Sequence, residues 1–220
     1  MGNPSVDVAH LLAGSMVLVS FMLLYQDRMF ALLNVFALHA IVLAASVAWQ
    51  AYVQNAPHLY VPAAIALVLK GIIIPVALHR TVVRLGIHRE VEKVVGVGIA
   101  LIVGLALTAL AQALLLKVAQ GSASHAREEL ALALAIILLG FLMMIVRRNA
   151  VTQVVGFMSM ENGLILAATG ARGMPLVVEV SVAFSVLIAL FVFAVFVFRI
   201  RERFDTIDIE ALDRMRGDRR

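Results

Sequence analysis

Long runs of apolar residues alternate with short polar breaks along almost the whole chain. Seven runs stand out, at residues 7–25, 29–52, 60–79, 94–118, 128–146, 150–169 and 176–198. Each is near the length of about 20 residues that a helix needs to cross a bilayer. Between them lie Gln26-Asp27-Arg28, Asn55-Ala56-Pro57-His58, the basic stretch from Arg80 to Lys93, Gly121-Ser122-Ala123-Ser124, Arg147-Arg148-Asn149, and Gly170 to Pro175. These are polar, glycine or proline sequences that turn a chain or stop a helix. The pattern predicts an all-α polytopic membrane bundle of about seven transmembrane helices. Every run carries glycine, alanine or serine, small residues that let helices approach closely in lipid.

Composition sharpens this picture. Of 220 residues, 63% are hydrophobic and 15% charged, so the spans and their connections consume the chain and leave no room for a soluble catalytic domain. The expectation is a single membrane domain over 1–220, with a four-helix front part at 1–118, a three-helix back part at 128–198 and an amphipathic tail at 199–220. The chain has no cysteine, which excludes Cys-ligated Fe–S clusters, thiolate metal sites and c-type haem attachment. No cofactor is therefore expected in this chain, and redox chemistry nearby belongs to a partner.

The net charge of +4 reports topology rather than nucleic-acid binding. With the N-terminus outside, the inner segments hold Arg28, then Arg80, Arg84, Arg89 and Lys93, then Arg147 and Arg148, then seven arginines in the tail. The outer segments hold only Lys117, Arg127 and Arg172. Positive charge is retained on the cytoplasmic side, which places the N-terminus out and the C-terminus in the cytoplasm. Met1 to Val6 has no basic residue and no cleavage motif follows the first run, so the first helix is expected to stay. In the tail, Ile200, Phe204, Ile207, Leu212 and Met215 fall roughly on one helical face, which suits docking on a partner.

The informative residues are those that lipid disfavours. A charged side chain at the centre of a spanning helix costs about 2.5–3.5 kcal/mol, so such groups mark function or a specific partner. Lys70, Glu161 and Glu179 are the clear cases. Glu161 has no Lys or Arg within two turns on its own helix, so its counter-charge must come from another helix or from water. Glu179 lies about 9 Å from it in depth, counted through the intervening loop at the rise of a helix. Lys70 stands midway along the third run, with Pro75 shortly after it. A proline there leaves the carbonyl of Gly71 without its helical N–H. His39, in the second run, can titrate near neutral pH and has Asn34 a little over one turn away. Glu161, Glu179, Lys70 and His39 are therefore the proton-path candidates. Asn162, Gln112 and Asn34 are supporting polar residues that can hydrogen-bond between helices. No metal-binding H-E-x-x-H, phosphate-binding glycine loop or nucleophile elbow occurs. The seventh run has no lysine for retinal, which argues against a light-driven pump.

The last three runs resemble a known module. The stretch from Gly156 to Asn162 is similar to the second helix of the K subunit of proton-pumping NADH:quinone oxidoreductase, complex I. It is equally similar to the C subunit of multisubunit Na⁺/H⁺ antiporters. Both share a G-L-E-x-x-x-N pattern; Gly156 and Asn162 match it, the family glutamate falls at Met158, and the carboxylate here is Glu161, about one turn later. Val178-Glu179-Val180-Ser181-Val182-Ala183 resembles the K subunit's third helix with its buried glutamate. A K-type module extended by about four N-terminal helices resembles hydrogenase-4 component E, a membrane subunit of formate hydrogenlyase-type group 4 [NiFe] hydrogenases. That resemblance implies a non-catalytic subunit in the plasma (inner) membrane of a bacterium or archaeon. It further implies antiporter-like and quinone-oxidoreductase-like membrane partners, and a cytoplasmic arm that holds the NiFe centre and Fe–S clusters. The expected role is a lateral proton path through buried carboxylates. The rivals are a scaffold whose polar residues only join helices, and a Na⁺/H⁺ antiporter subunit.

Overall fold

Where hydrocarbon replaces water, every backbone N–H and C=O needs a partner within its own segment, and apolar runs of this length meet that demand as helices. The chain folds accordingly in a computed structural model that describes residues 4–85, 94–118, 124–170 and Leu187. Helix α1 runs over Pro4–Tyr25 and α2 over Met29–Val53. After a 3₁₀ turn at Pro57–Leu59 come α3 (Tyr60–Ile65), a π-helical segment (Ala66–Ile73) and α4 (Ile74–Leu85), one continuous rod. Helices α5 (Val97–Val118), α6 (Ser124–Val146) and α7 (Ala150–Gly170) complete the described bundle. Among the described residues six segments are long and apolar enough to cross a membrane. The expected seventh span at 176–198, Glu179 within it and the tail at 199–220 lie outside the described residues, apart from Leu187.

The helices begin and end beyond the apolar runs. Helix α1 already starts at Pro4, α4 continues past His79 to Leu85, and α6 starts at Ser124. Apolar runs mark the hydrocarbon thickness, whereas hydrogen bonding carries a helix on into the interface. At the end of α2 the turn is made by Asn55 at φ 51°, a left-handed conformation that asparagine tolerates, and the N–H of Ala56 reaches back to Ala51 O at 3.0 Å. In the third rod the N–H of Ile74 reaches Leu69 O, five residues back. The wide turn stops just before Pro75, which has no N–H to give to Gly71 in any case.

Helix α6 lies against α7, α5 and α1, while α2 lies against α1, α7 and all three parts of the third rod. The core between them is built from Met16, Leu23, Phe36, Leu43, Ile136 and Met158, with their neighbours. Front and back helices thus share one apolar interior. Among the described residues helix α5 is peripheral, with 17% of its spanning window buried against 67% for α7. The closest approach is between α6 and α7. A Cβ on Gly140 would stand 2.6 Å from Met160 N, and one on Gly163 would stand 3.0 Å from Ala133 O.

The two ends of the bundle differ in charge. His79 packs on Phe30 with ring centroids 4.5 Å apart, and the N–H of Val94 bonds Val146 O at 2.9 Å, so the start of α2 and α5 and the end of α4 and α6 share one end. Arg28, Arg80, Arg147 and Arg148 gather there, while Lys117 and Arg127 sit at the other. Arg147 is buried, and its Nη2 donates to Leu24 O at 2.8 Å, Gln26 O at 2.9 Å and Leu23 O at 3.2 Å. A guanidinium therefore covers the orphan carbonyls at the end of α1 and sits at the negative end of its dipole. Burial lowers its pKa to about 10, which leaves it cationic at neutral pH. At the opposite end Trp49 Nε1–H donates to Ser5 O at 2.9 Å. Gln50 Nε2 donates to both Glu129 oxygens, at 3.1 and 3.2 Å, and Gln54 Nε2 donates to Thr169 O at 2.8 Å.

Because Gly140 faces backbone rather than a flexible side-chain end, Gly140→Ala should push α6 and α7 apart. The expected cost is about 1–3 kcal/mol of overpacking, read as a lower thermal midpoint of the purified protein in detergent. Gly14→Ala, where nothing stands within 4 Å, should leave that midpoint unchanged or raise it slightly.

Candidate functional site

At mid-depth, four spans present polar side chains to a single point. The π segment contributes Lys70, α7 contributes Glu161 and Asn162, α2 contributes His39, and α1 contributes Ser20. His39, Lys70 and Asn162 are 0% exposed, Ser20 2% and Glu161 3%. Lys70 lies in the middle of the Pro57–Arg80 span and Glu161 in the middle of Val151–Gly170, so the group is roughly as far from either end of the bundle as the chain allows.

Lys70 Nζ stands 3.1 Å from Glu161 Oε2 and donates to Asn162 Oδ1 at 2.8 Å. Asn162 Nδ2 is 2.9 Å from His39 Nδ1. On the other side of the ring, His39 Nε2 is 3.0 Å from Ser20 Oγ, which donates to Met16 O at 2.9 Å. The result is one connected chain, Glu161 to Lys70 to Asn162 to His39 to Ser20, that ends on a backbone carbonyl of α1.

The local helix geometry explains why these residues meet. The π segment puts Lys70 on the rod's inner side, while Leu67, Val68, Ile72 and Ile73 remain exposed on the face that lipid would cover. Wide turns of this kind inside α-helices recur at functional sites, because they re-aim a side chain without ending the helix. On α7, Glu161 and Asn162 are successive, so their side chains diverge by about 100° and both can flank one ammonium.

An ion pair in such a setting is chemically specific. Taking both charges out of water costs several kcal/mol per ion, which their attraction and the added hydrogen bond must offset. Across the 3.1 Å contact, a proton that moves from Lys70 to Glu161 turns ammonium and carboxylate into amine and carboxylic acid with no change in net charge. The pair can thus hold one exchangeable proton in the middle of the bundle. The next link is different. The Asn162 amide offers an oxygen to one neighbour and N–H groups to the other, and it does not give up a proton at ordinary pH. Proton exchange by these side chains alone therefore stops at Lys70, and His39 and Ser20 act on it through the amide.

Of the residues singled out from the sequence, the structure brings together Lys70, Glu161, Asn162 and His39. Asn34 does not join them: it is exposed on α2, because five residues carry it about 140° around the helix from His39. Gln112 is half-buried on α5, which among the described residues packs on α6 and on α1 rather than on α2, the π segment or α7. Glu179 lies outside the described residues. Sequence reasoning missed Ser20 and Arg147. Serine is common in spanning helices and only its facing of His39 distinguishes it, while Arg147 reads as one more interfacial arginine until its carbonyl partners are seen. It also missed Gln50, Gln54 and Glu129, polar residues near helix ends whose mutual contact depends on how α2 and α6 pack. Among the described residues no group of three or more His, Asp or Glu side chains is arranged to hold a metal ion.

Comparison with known proteins adds little to this geometry. No family model matches the chain. It is 28% identical over 208 residues to a protein of Mycobacterium tuberculosis described as "Uncharacterized protein Rv0085", a match that covers 93% of this chain and 94% of that one. No solved structure matches.

Breaking the buried pair from one side should be costly. Lys70→Met leaves a carboxylate without its ammonium and is expected to destabilise the protein by about 3–5 kcal/mol. Adding Glu161→Met to that variant should recover most of the loss, since an apolar pair of similar volume carries no desolvation cost. Thermal midpoints of the two single variants and the double variant in lipid nanodiscs measure the coupling; additive effects would mean that the two side chains do not interact.

Proposed function

We propose that this chain is a non-catalytic membrane-arm subunit of a multisubunit respiratory complex of the [NiFe] hydrogenase or formate hydrogenlyase type. In this reading it contributes the buried Lys70–Glu161 pair to a proton-translocation path. The observation that carries the reading is the ion pair itself, at mid-depth and able to exchange a proton without changing charge. The resemblance of the 156–162 and 178–183 segments to the complex I K subunit and to hydrogenase-4 component E supplies the class of complex. Glu179 of the K-like segment would continue the path laterally, and the expected antiporter-like neighbours would receive it. The NiFe centre and Fe–S clusters would reside in a cytoplasmic arm, since this chain offers no cysteine to bind them.

The gathering of Arg28, Arg80, Arg147 and Arg148 at one end supports a cytoplasmic position for that end. The N-terminus then faces outward, in the plasma membrane of a bacterium or archaeon. A sodium-binding role is less well supported, because the Lys70 ammonium already occupies the cation position beside Glu161. A scaffold role has one observation in its favour: the amide of Asn162 interrupts proton exchange along the side-chain network.

One comparison separates the two. In inverted vesicles that carry the assembled complex, hydrogen- or quinone-linked proton uptake should collapse at least tenfold in Glu161→Gln while the complex still assembles and its cytoplasmic arm still turns over. Gln keeps the shape and a hydrogen-bond acceptor for Lys70 but cannot take a proton. Full uptake in an assembled Glu161→Gln complex would make the chain a scaffold.

A further inference from the structure

The hydrogen-bond chain has a direction, and the direction follows from one group. An ammonium has donors and no acceptor, so the atom of Asn162 that faces Lys70 at 2.8 Å is its oxygen. The amide nitrogen is then turned to His39 Nδ1 at 2.9 Å, and as it can only donate, Nδ1 must offer a lone pair. A neutral imidazole with a free Nδ1 carries its hydrogen on Nε2, which faces Ser20 Oγ at 3.0 Å. Ser20 is able to accept there because its own hydrogen goes to Met16 O at 2.9 Å. Each link has one donor and one acceptor, and all run the same way, from Lys70 to the α1 backbone.

Reversal at either end propagates. If a proton sat on His39 Nδ1, the amide would have to present its oxygen to the ring and turn its NH₂ group toward the Lys70 ammonium, donor against donor. Among the described residues the polar groups at this level offer no escape: α1 presents Ser20, α7 presents Asn162 and Glu161, and the π segment presents Lys70. From α4, His79 packs on Phe30 near the first turn of α2, more than two turns away.

We propose that Ser20 and His39 are positioning residues for the Lys70–Glu161 pair. They fix the amide of Asn162 with its oxygen toward Lys70, and His39 stands as the neutral Nε2–H tautomer whose Nδ1 cannot be protonated while the ammonium is in place. The proposal rests on the proton-handling role of the pair for its functional consequence, and on geometry alone for the tautomer.

Two measurements test it. The full chain, labelled with ¹⁵N-histidine and reconstituted in bilayers, should show His39 at neutral pH as a single neutral species protonated on Nε2, with the signal assigned by its loss in His39→Gln. A ring protonated on Nδ1, alone or together with Nε2, would overturn the proposal. In vesicles of the assembled complex, His39→Gln presents an acceptor to Asn162 and a donor to Ser20 in the same order, and should keep at least half of the proton uptake. His39→Leu removes the acceptor that orients the amide and should lose about tenfold, the scale of one unsatisfied buried hydrogen-bonding group. Equal uptake in the two variants, whether both high or both low, would also overturn it. Because the tautomer signature does not depend on transport, an intact Glu161→Gln complex would remove the function proposed above and still leave the positioning of Asn162 to be decided by the spectrum.

Discussion

A lysine and a glutamate buried side by side in the bundle interior constrain everything around them. Both are buried, so their pairing favours one register of the third rod and α7, the one that puts Lys70 Nζ 3.1 Å from Glu161 Oε2. The remaining ammonium hydrogens need acceptors, and Asn162 supplies one. That choice orients the amide, the amide selects the tautomer of His39, and His39 with Ser20 ties the arrangement to α1. A single electrostatic demand therefore ties four spans together at mid-depth. The π segment belongs to the same demand, since it gives the rod an inward-facing lysine between lipid-facing neighbours.

Polar contacts at both ends of the bundle complement this central lock. Arg147 gathers the last carbonyls of α1 at the basic end, so α6 and α1 are tied where their connecting segments emerge. At the other end Gln50, Gln54, Glu129 and Thr169 join α2, α6 and α7. Between these levels the packing is apolar and close, with glycines on α6 and α7 where the backbones nearly touch. In lipid, where the hydrophobic effect does not press helices together, such small-residue contacts and interhelical hydrogen bonds are the main source of specificity. Among the described residues helix α5 takes part in none of these polar layers and leaves most of its surface uncovered.

On the proposed function, the same arrangement separates moving charge from holding it in place. Lys70 and Glu161 can exchange a proton across their contact; Asn162 cannot pass it on. A path that uses the pair would then have to reach it by a route other than the Asn162 amide. His39 is better understood as part of the mounting than as a carrier.

How much of this was readable in the sequence depends on the kind of interaction. The length and spacing of the apolar runs determined that the chain is a helical membrane bundle, because only closed backbone hydrogen bonding survives in hydrocarbon, and that constraint is local. The cost of burying charge likewise singled out Lys70 and Glu161 one residue at a time. What the linear pattern could not supply was partnership. That Lys70 meets Glu161, that His39 turns to Asn162 and not to Asn34, that Ser20 closes the chain and that Arg147 caps another helix all depend on how helices are rotated and which are neighbours. Those were decided only in the tertiary structure, since a hydrogen bond between helices carries no period or spacing along the chain, and its geometry exists only once the helices have packed.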